Sequence, residues 1–201
     1  MGRIVVGVMG SGTRGYPELA GCVGRAVARL GCHLLTGGGG GVMEEVSRAF
    51  CQEPGRKGVC LGILKGRVES TTEGGRVVLS HLADAPNPWV EVPIHTHLPL
   101  SGRRGREPGS RNHLNVLSSD VMVAMPGEEG TCSEVTLRIA HGRSLLLFLG
   151  GHGIAGHGGQ HFLALARYPD QVSLAGSAQE LEELLERAVR EEIRKRGDGP
   201  G

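Results

Sequence analysis

Short apolar runs bounded by glycine alternate with segments of helical spacing along most of this chain. Residues 4–9 form a continuous apolar run, which is typical of a strand buried on both faces of a parallel sheet. Residues 17–30 place their apolar positions on one helical face, and Gly31 is a natural helix stop. The pattern predicts strands at residues 4–9, 32–35, 59–64, 89–94, 121–125, 145–149 and 171–175. It predicts helices at 17–30, 42–50, 110–117, 132–141 and 160–167, and a last helix, capped by Ser177 and Glu180, that runs to about residue 194.

This alternation predicts a fold class. Strands that alternate with helices form right-handed βαβ units, so we expect a single-domain Rossmann-like α/β fold with a mostly parallel sheet and helices on both faces. A chain of 201 residues is long enough for one buried core and short for two. We assign residues 1–196 to one nucleotide-binding-like domain and 197–201 to a flexible tail. Residues 65–88 are polar and interrupted by glycine and proline, and are expected to form a long loop.

The charge balance and the cysteines exclude several classes of partner. The chain has 22 Lys and Arg against 21 Asp and Glu, which gives no general attraction to nucleic acid or to a membrane surface. The apolar run at 145–149 is far too short to span a membrane, and the N-terminus has no signal-peptide pattern. An odd number of cysteines without a Cys-x-x-Cys pair suits a reducing compartment. We therefore expect a cytoplasmic protein.

Two glycine-rich turns carry the candidate chemistry. Each of them, at residues 36–43 and 126–131, lies between a predicted strand and a predicted helix. Glycine lets backbone N–H groups approach an anion closely, and a helix that begins there adds the positive end of its dipole. Both turns follow the carboxyl ends of strands, where parallel sheets bind ligands. The sequence therefore predicts a pocket for a phosphorylated, nucleotide-like small molecule. The candidate residues in these turns are Gly38, Gly39, Gly40, Gly41, Gly127, Gly130 and Thr131.

A third turn follows the first strand. Its sequence, residues 10–15, matches the Gly-x-Gly-x-x-Gly pattern of dinucleotide-binding proteins. That fingerprint also needs an acidic residue near the end of the second strand, where this chain has Leu35 and Thr36. A nicotinamide-dinucleotide site is therefore disfavoured. Gly10, Ser11 and Gly12 stay candidates for contributing N–H groups to a nucleotide.

Three of these features have a second interpretation. The glycines at 37–41 are either a flexible turn or an anion contact, and we favour the anion because glycine costs chain entropy. Thr131 and Glu134 are spaced as a capping box, or they bind phosphate and carry a catalytic carboxylate. Arg111 at a helix start is either a solvated charge or the partner of an anion such as Glu134 or a phosphate.

Other catalytic classes find little support. His152, His157 and His161 lie in a glycine-rich loop, but no cysteine or carboxylate pair joins them, so we predict no metal site. Neither a Gly-x-Ser-x-Gly elbow nor a Gly-x-x-x-x-Gly-Lys-Ser/Thr loop is present, which excludes a nucleophile-elbow hydrolase and a P-loop protein.

Three ordered motifs resemble the LONELY GUY superfamily, whose members have carried a lysine decarboxylase label. The motifs are residues 37–43, matching Gly-Gly-x-x-Gly-x-Met, the Arg111-led helix, and residues 126–134, matching Pro-Gly-Gly-x-Gly-Thr-x-x-Glu at every position but Glu128. The resemblance covers about residues 3–194 and is strongest to the molybdenum-cofactor carrier branch. It adds Met43 and Asn112 to the ligand-binding candidates.

The resemblance implies two functions. Family enzymes are nucleoside 5′-monophosphate phosphoribohydrolases that cleave the N-glycosidic bond. In that case Glu134 would stabilise the oxocarbenium-like transition state or activate water, and Arg111 would orient Glu134 and the leaving base. The alternative is a non-catalytic carrier or sensor of a phosphorylated cofactor such as the molybdenum cofactor. Either way the resemblance implies a homodimer or higher homo-oligomer, and no resident cofactor is required beyond a bound nucleotide or molybdenum cofactor.

Two details bear on these functions. A pyridoxal-phosphate decarboxylase is disfavoured, because Lys65 alone lies near a strand end and has no evident pyridinium partner. The second glycine of the Pro-Gly-Gly motif is Glu128 in this chain. A carboxylate beside a phosphate site repels the ligand, so we expect Glu128 to turn away from the phosphate or to select a different polar group.

Overall fold

Strands and helices alternate through a computed structural model that describes residues 2–71, 77–80 and 85–197. The strands are β1 (Val5–Met9), β2 (His33–Thr36), β3 (Cys60–Leu64), β4 (Arg67–Thr71), β5 (Val77–Ser80), β6 (Val92–His95), β7 (Val121–Ala124), β8 (Leu145–Phe148) and β9 (Val172–Ala175). The helices are α1 (Pro17–Arg29), α2 (Val42–Gln52), α3 (Asn112–Leu117), α4 (Glu129–Ala140), α5 (Gly159–Leu165) and α6 (Ala178–Gly197). Short 3-10 turns occur at Gly102–Arg104 and Pro169–Gln171.

Seven of the strands form one sheet in the order β6-β3-β2-β1-β7-β8-β9. Every neighbouring pair in this sheet is parallel. After β1, the chain adds β2, β3 and β6 on one side of it, and then β7, β8 and β9 on the other side. The strand order therefore reverses between β1 and β7, and a crevice opens there beyond the carboxyl ends of the strands. This topology confirms the predicted Rossmann-like α/β fold.

Helices cover both faces of the sheet, which explains why its strands are apolar on both sides. Apolar residues of α1, α2 and α6 pack on one face, where Val6 and Val8 are fully buried. Residues of α3, α4 and α5 pack on the other face around Met9 and Met122. Burial of this kind stabilises the fold by about 25 cal/mol for each Å² of apolar surface removed from water.

The prediction of a long loop at residues 65–88 is partly wrong. Strands β4 and β5 pair with each other in antiparallel fashion and form a separate two-stranded sheet. The β-branched residues Val77 and Val78 are a strand signal that the flanking glycines and prolines obscured. The two strands satisfy each other's main-chain hydrogen bonds, so they need no place in the parallel sheet. Residues 72–76 and 81–84 of the expected loop lie outside the described residues.

The last helix begins as the sequence indicates. The N–H of Glu180 donates to Ser177 Oγ at 3.2 Å, and the Glu180 carboxylate accepts from the N–H of Gly176 at 2.8 Å. Helix α6 continues to Gly197, and residues 198–201 of the predicted tail lie outside the described part of the chain. None of the described helices combines the length and the apolar character that crossing a membrane requires.

A buried arginine ties α4 to the segment between α3 and β7. Arg138 has no exposed surface, and its guanidinium donates to the carbonyl oxygens of Val116, Ser119, Asp120 and Ser144. Burial lowers the pKa of Arg138 to about 9. Because these bonds anchor the end of α3 against α4, they also fix the relative position of the site residues that the two helices carry.

Candidate functional site

A cavity of about 150 Å³ lies where the strand order reverses, beyond the carboxyl ends of β1 and β7. The two strand ends are joined by hydrogen bonds from the N–H of Met125 to the Met9 carbonyl and from the N–H of Ser11 to the Pro126 carbonyl. The cavity is lined by Met9, Gly10, Gly12, Met43, Ser101, Gly102, Arg111, Asn112, Glu128, Gly130, Thr131 and Glu134. A larger groove of about 360 Å³ lies between α1 and α6, away from this edge.

The cavity brings together many of the residues predicted from the sequence. Those that line it are Gly10, Gly12, Met43, Arg111, Asn112, Gly130, Thr131 and Glu134. The predicted residues that do not line it are Ser11, Gly38, Gly39, Gly40, Gly41 and Gly127. These six belong to the same three turns as the residues that line it.

The capping-box interpretation of Thr131 and Glu134 is wrong. Helix α4 begins at Glu129, so Thr131 lies inside its first turn and Glu134 lies well within the helix. The N–H groups of Gly130 and Thr131, which line the cavity, have no hydrogen-bond partner among the described residues, because they precede the first intrahelical bond, from the N–H of Cys132 to the carbonyl of Glu128. These free N–H groups and the positive helix end provide a favourable environment for an anion at the cavity.

Gly127 sits beneath Thr131 at the start of this turn. A Cβ atom at Gly127 would lie against Thr131 Oγ1 and 2.9 Å from the backbone nitrogen of Ser11. No side chain fits in that space, because the Ser11 nitrogen belongs to the main chain and cannot rotate away. Gly127 therefore permits the close approach of the β1 and β7 turns that shapes the cavity.

Arg111 binds the main chain of two neighbouring strands. Its Nη1 donates to the carbonyl oxygens of Gly37 and Ile63. Its Nε is buried without a hydrogen-bond partner in the described part of the chain. Burial lowers the pKa of Arg111, and the nearby Glu134 opposes that shift only in part. Arg111 lines the cavity, and its guanidinium charge is a favourable partner for an anion there.

Glu134 is almost fully buried and accepts a hydrogen bond from Asn115 Nδ2 to Oε1 at 3.0 Å. Burial raises the pKa of Glu134, while Asn115 and the charge of Arg111 act in the opposite direction. Among the described ion pairs within 4.0 Å, none joins Glu134 to Arg111. The two residues share a cavity wall and attract each other without direct contact.

The backbone conformation of the turn at residues 37–41 itself requires glycine, whether or not a ligand binds there. Gly38 and Gly41 have positive φ values of 72° and 63°, which side chains with a Cβ rarely adopt. Asn87 fixes the turn, because its backbone N–H donates to the Gly38 carbonyl and its Nδ2 donates to the Gly39 carbonyl, both at 2.8 Å. The N–H groups of Gly39, Gly40 and Gly41 have no partner among the described residues.

Glu128 lies at the cavity mouth and points toward the β1 turn. Its Oε1 accepts a hydrogen bond from Ser11 Oγ at 2.8 Å, across 117 residues of sequence. The carboxylate therefore lies beside the candidate anion site and is held there by Ser11.

The histidine loop lies beyond β8. His157 and His161 stack with their ring centres 4.0 Å apart. Within the described ranges, no group of three or more His, Cys, Asp or Glu side chains is arranged to hold a metal ion. The loop contributes instead to the site's support, because the N–H of Gly127 donates to the Gly153 carbonyl at 3.3 Å.

Sequence reasoning missed five residues of this region. Met9, Ser101 and Gly102 line the cavity, Asn115 binds Glu134, and Asn87 holds the glycine turn. Asn115 follows Arg111 by four residues, a spacing that places both on one helical face and could have identified it. Asn87 and Ser101 lie in irregular segments where periodicity gives no signal.

The fold and this edge define a Rossmann-like protein with a candidate anion site at its topological switch point. The chain belongs to the SLOG cluster4 family, which it matches over residues 3–168. This match agrees with the resemblance to the LONELY GUY superfamily, and the similar solved structures include proteins of the molybdenum-cofactor carrier branch.

Solved structures share the fold over nearly the whole chain. The molybdenum cofactor binding protein from the phototrophic bacterium Rippkaea orientalis is 27% identical, with a TM-score of 0.67 over 94% of this chain and 99% of that one. The Moco carrier protein from Chlamydomonas reinhardtii is 24% identical, with a TM-score of 0.69 and the same coverage. TM1055 is 22% identical, with a TM-score of 0.65 over 92% of this chain and 99% of its own. The last two similarities show the fold alone. No curated protein sequence matches this chain significantly.

Proposed function

We propose that this protein is a non-catalytic carrier of a phosphorylated cofactor of the molybdenum-cofactor type. The observation that carries the proposal is the anion-binding end of the cavity. The free N–H groups at the start of α4 and the buried, unpaired Nε of Arg111 belong to residues around the same small space. The Rippkaea orientalis protein, which binds molybdenum cofactor, shares this fold at 27% identity and supports the choice of ligand.

The size of the cavity fits one end of such a ligand. Pockets that enclose a whole small-molecule ligand have volumes of about 300–1,000 Å³. A cavity of about 150 Å³ accommodates a phosphate group and its immediate attachment. The rest of a larger ligand would lie across the mouth, near Ser101 and Glu128. A ligand that is gripped at one end and exposed at the other can be handed to a recipient protein, as a carrier requires.

Two features favour a carrier over a phosphoribohydrolase. Arg111 is engaged with the carbonyls of Gly37 and Ile63, and Glu134 is engaged with Asn115, so the two are not paired as the hydrolase mechanism expects. Burial raises the pKa of Glu134 and so favours its neutral form. A neutral carboxyl group stabilises a cationic transition state less well than a carboxylate does.

A nucleoside 5′-monophosphate phosphoribohydrolase is the second candidate. It is favoured by one observation: Glu134 and Arg111 line the same cavity, and Glu134 has one carboxyl oxygen free of hydrogen bonds among the described residues. In this function the free oxygen would face the ribose, and Arg111 would orient the leaving base. Release of free base from a panel of nucleoside monophosphates would support this candidate.

The test of the carrier function is ligand content after native purification. The protein is expressed in cells that synthesise molybdenum cofactor and is purified without oxygen. Molybdenum is measured by mass spectrometry, and the pterin by its fluorescence after oxidation. We expect both in similar amounts in the wild type. Absence of both, in cells whose molybdenum enzymes are active, contradicts the carrier function.

A matched pair of variants localises the bound cofactor. Thr131→Val removes a hydroxyl from the cavity wall and should lower the cofactor content. Thr136→Val is the control, because the Thr136 hydroxyl donates to the Cys132 carbonyl at 2.8 Å and Thr136 does not line the cavity. Equal loss in both variants would indicate a general effect on α4 and not a contact with the ligand.

The oligomeric state and location complete the proposal. We propose a homo-oligomer, as the family resemblance implies, and a cytoplasmic location, which suits an odd number of cysteines without a Cys-x-x-Cys pair. Exposed apolar side chains on β6 (Val92 and Ile94) and on α3 (Leu114 and Leu117) are consistent with self-association. Light scattering of the purified protein tests this, and the mass of one chain, 21.1 kDa, would contradict it.

A further inference from the structure

Helix capping does not explain the presence of Glu128, whose side chain has one hydrogen bond among the described residues, the one it accepts from Ser11. Glu128 is the residue before α4, where Ser, Thr, Asp and Asn are preferred because their side chains cap the helix. The Glu128 side chain makes no such capping bond. It also forms no ion pair among the described residues. A carboxylate in this position weakens the attraction of the site for a phosphate. We therefore expect Glu128 to have a function other than phosphate binding.

The carboxylate is held in a defined orientation. Ser11 Oγ accepts hydrogen bonds from the N–H groups of Arg14 at 2.9 Å and Thr13 at 3.2 Å. The Ser11 hydroxyl donates to Glu128 Oε1 at 2.8 Å, which is a nearer partner than Thr13 Oγ1 at 3.3 Å. The other carboxylate oxygen, Oε2, has no partner among the described residues, and Glu128 lines the cavity mouth. An oriented acceptor with a free oxygen is available to a ligand.

We propose that Glu128 is a specificity residue, which selects ligands whose ring carries two adjacent N–H donors. The 2-amino-4-oxopyrimidine edge has this arrangement, and guanine and 2-amino-4-oxopteridines share it. The inference rests on the proposed function, since the phosphate of the same ligand lies at Arg111 and Thr131. The two adjacent donors bind the two oxygens of the carboxylate, and Ser11 continues to donate to Oε1.

The chemistry of the edge explains the selection. A carboxylate accepts hydrogen bonds only, so it favours an edge made of donors and repels one made of acceptors. Guanine presents two adjacent N–H groups, hypoxanthine presents one, and adenine presents an acceptor beside its amino group. A site built around a buried or oriented polar group rejects analogues that leave this group unpaired. The Pro-Gly-Gly motif of the family has no side chain at this position, so the selection is specific to chains with this carboxylate.

Guanosine and inosine 5′-monophosphates provide a matched pair of probes, because they differ only in the exocyclic amino group. Binding of each to the full chain is measured by calorimetry. We expect the wild type to bind GMP about tenfold or more tightly than IMP, and AMP more weakly still. Glu128→Gln should bring the GMP and IMP affinities within about threefold of each other. Ser11→Ala should reduce the preference without abolishing it, because the carboxylate stays but loses its orientation.

Glu129→Gln is the control, since Glu129 is the next residue, carries the same charge and does not line the cavity. It should keep the preference of the wild type for GMP. Equal affinity of the wild type for GMP and IMP, or no binding of GMP, overturns the inference. The same holds if Glu128→Gln keeps the wild-type preference. These outcomes are separate from failure of the carrier function, which would appear as absence of molybdenum and pterin in the purified protein.

Discussion

Asn115 on α3 donates a hydrogen bond from Nδ2 to Oε1 of Glu134 on α4, at 3.0 Å. The bond is buried, and Asn115 Oδ1 has no partner of its own in the described chain. Glu134 therefore has one neutral hydrogen-bond donor and no cation in direct contact. Because a neutral donor offsets the cost of burying a carboxylate only in part, the pKa of Glu134 lies above its ordinary value.

Glu134→Gln should make the protein less sensitive to rising pH. Below about pH 4 the folded and unfolded states of the wild type both hold the proton of Glu134, so the residue has no effect on stability there. As the pH rises, the unfolded state releases this proton first, and the wild type loses stability until the raised folded pKa is passed. Glutamine has no proton to lose. In urea unfolding between pH 4 and pH 8, the free energy of unfolding of the variant should rise relative to that of the wild type, by up to about 1.4 kcal/mol per pH unit. Parallel curves would mean that the pKa of Glu134 is not raised.

Gly127→Ala should destabilise the protein by about 1–3 kcal/mol, the usual cost of overpacking. The added methyl group would press on Thr131 Oγ1 and on the backbone nitrogen of Ser11. Gly130→Ala is the control, because its added methyl group would make only ordinary contacts with Gly102, at 3.5 Å from Cα and 3.8 Å from N, and alanine favours a helix. Chemical unfolding should show the first variant weaker than the wild type and the second equal or stronger. A Gly127→Ala protein of wild-type stability would refute the close approach of the two turns.

Arg111→Met should weaken the binding of inorganic phosphate and of GMP by about 10- to 100-fold, since hydrogen bonds to charged groups contribute about 1.5–3 kcal/mol. Arg14→Met removes the same charge from an exposed side chain that lies 5.2 Å from the centre of the Tyr16 ring and does not line the cavity. This control should bind phosphate with an affinity within about threefold of the wild type. The affinities are measured by calorimetry at one fixed salt concentration. Equal weakening of binding in both variants would indicate that net charge alone attracts the ligand.

Arg138→Met should cost about 3 kcal/mol or more, because four main-chain carbonyls lose a buried donor. Arg143→Met removes a half-buried arginine whose guanidinium donates one hydrogen bond, to the Leu117 carbonyl at 2.9 Å, and should cost less than about 1 kcal/mol. Differential scanning calorimetry should give a lower melting temperature for Arg138→Met than for Arg143→Met. If Arg138→Met has the same melting temperature as the wild type, the hydrogen bonds of Arg138 between α3 and α4 are not important for stability.

The pattern of residues along the chain is enough to predict the parallel sheet and much of the cavity wall. Continuous apolar runs mark β1, β7 and β8, because strands covered by helices on both faces need apolar side chains at every position. Glycines after β1 and β7 mark the binding edge, since these turns follow the carboxyl ends of adjacent parallel strands. For this reason Gly10, Gly12 and Thr131 could be placed at one site from their positions in the chain.

The hydrogen bonds between polar side chains of the site depend on tertiary packing and do not follow from the residue pattern. Ser11 and Glu128 are 117 residues apart, and Asn115 rather than Arg111 binds Glu134. A hydrogen bond exists only within a few tenths of an ångström of its best distance, and the relative placement of packed helices and turns sets such distances. Helix α4 likewise begins at Glu129, two residues before Thr131, a start that the Thr-x-x-Glu spacing does not encode.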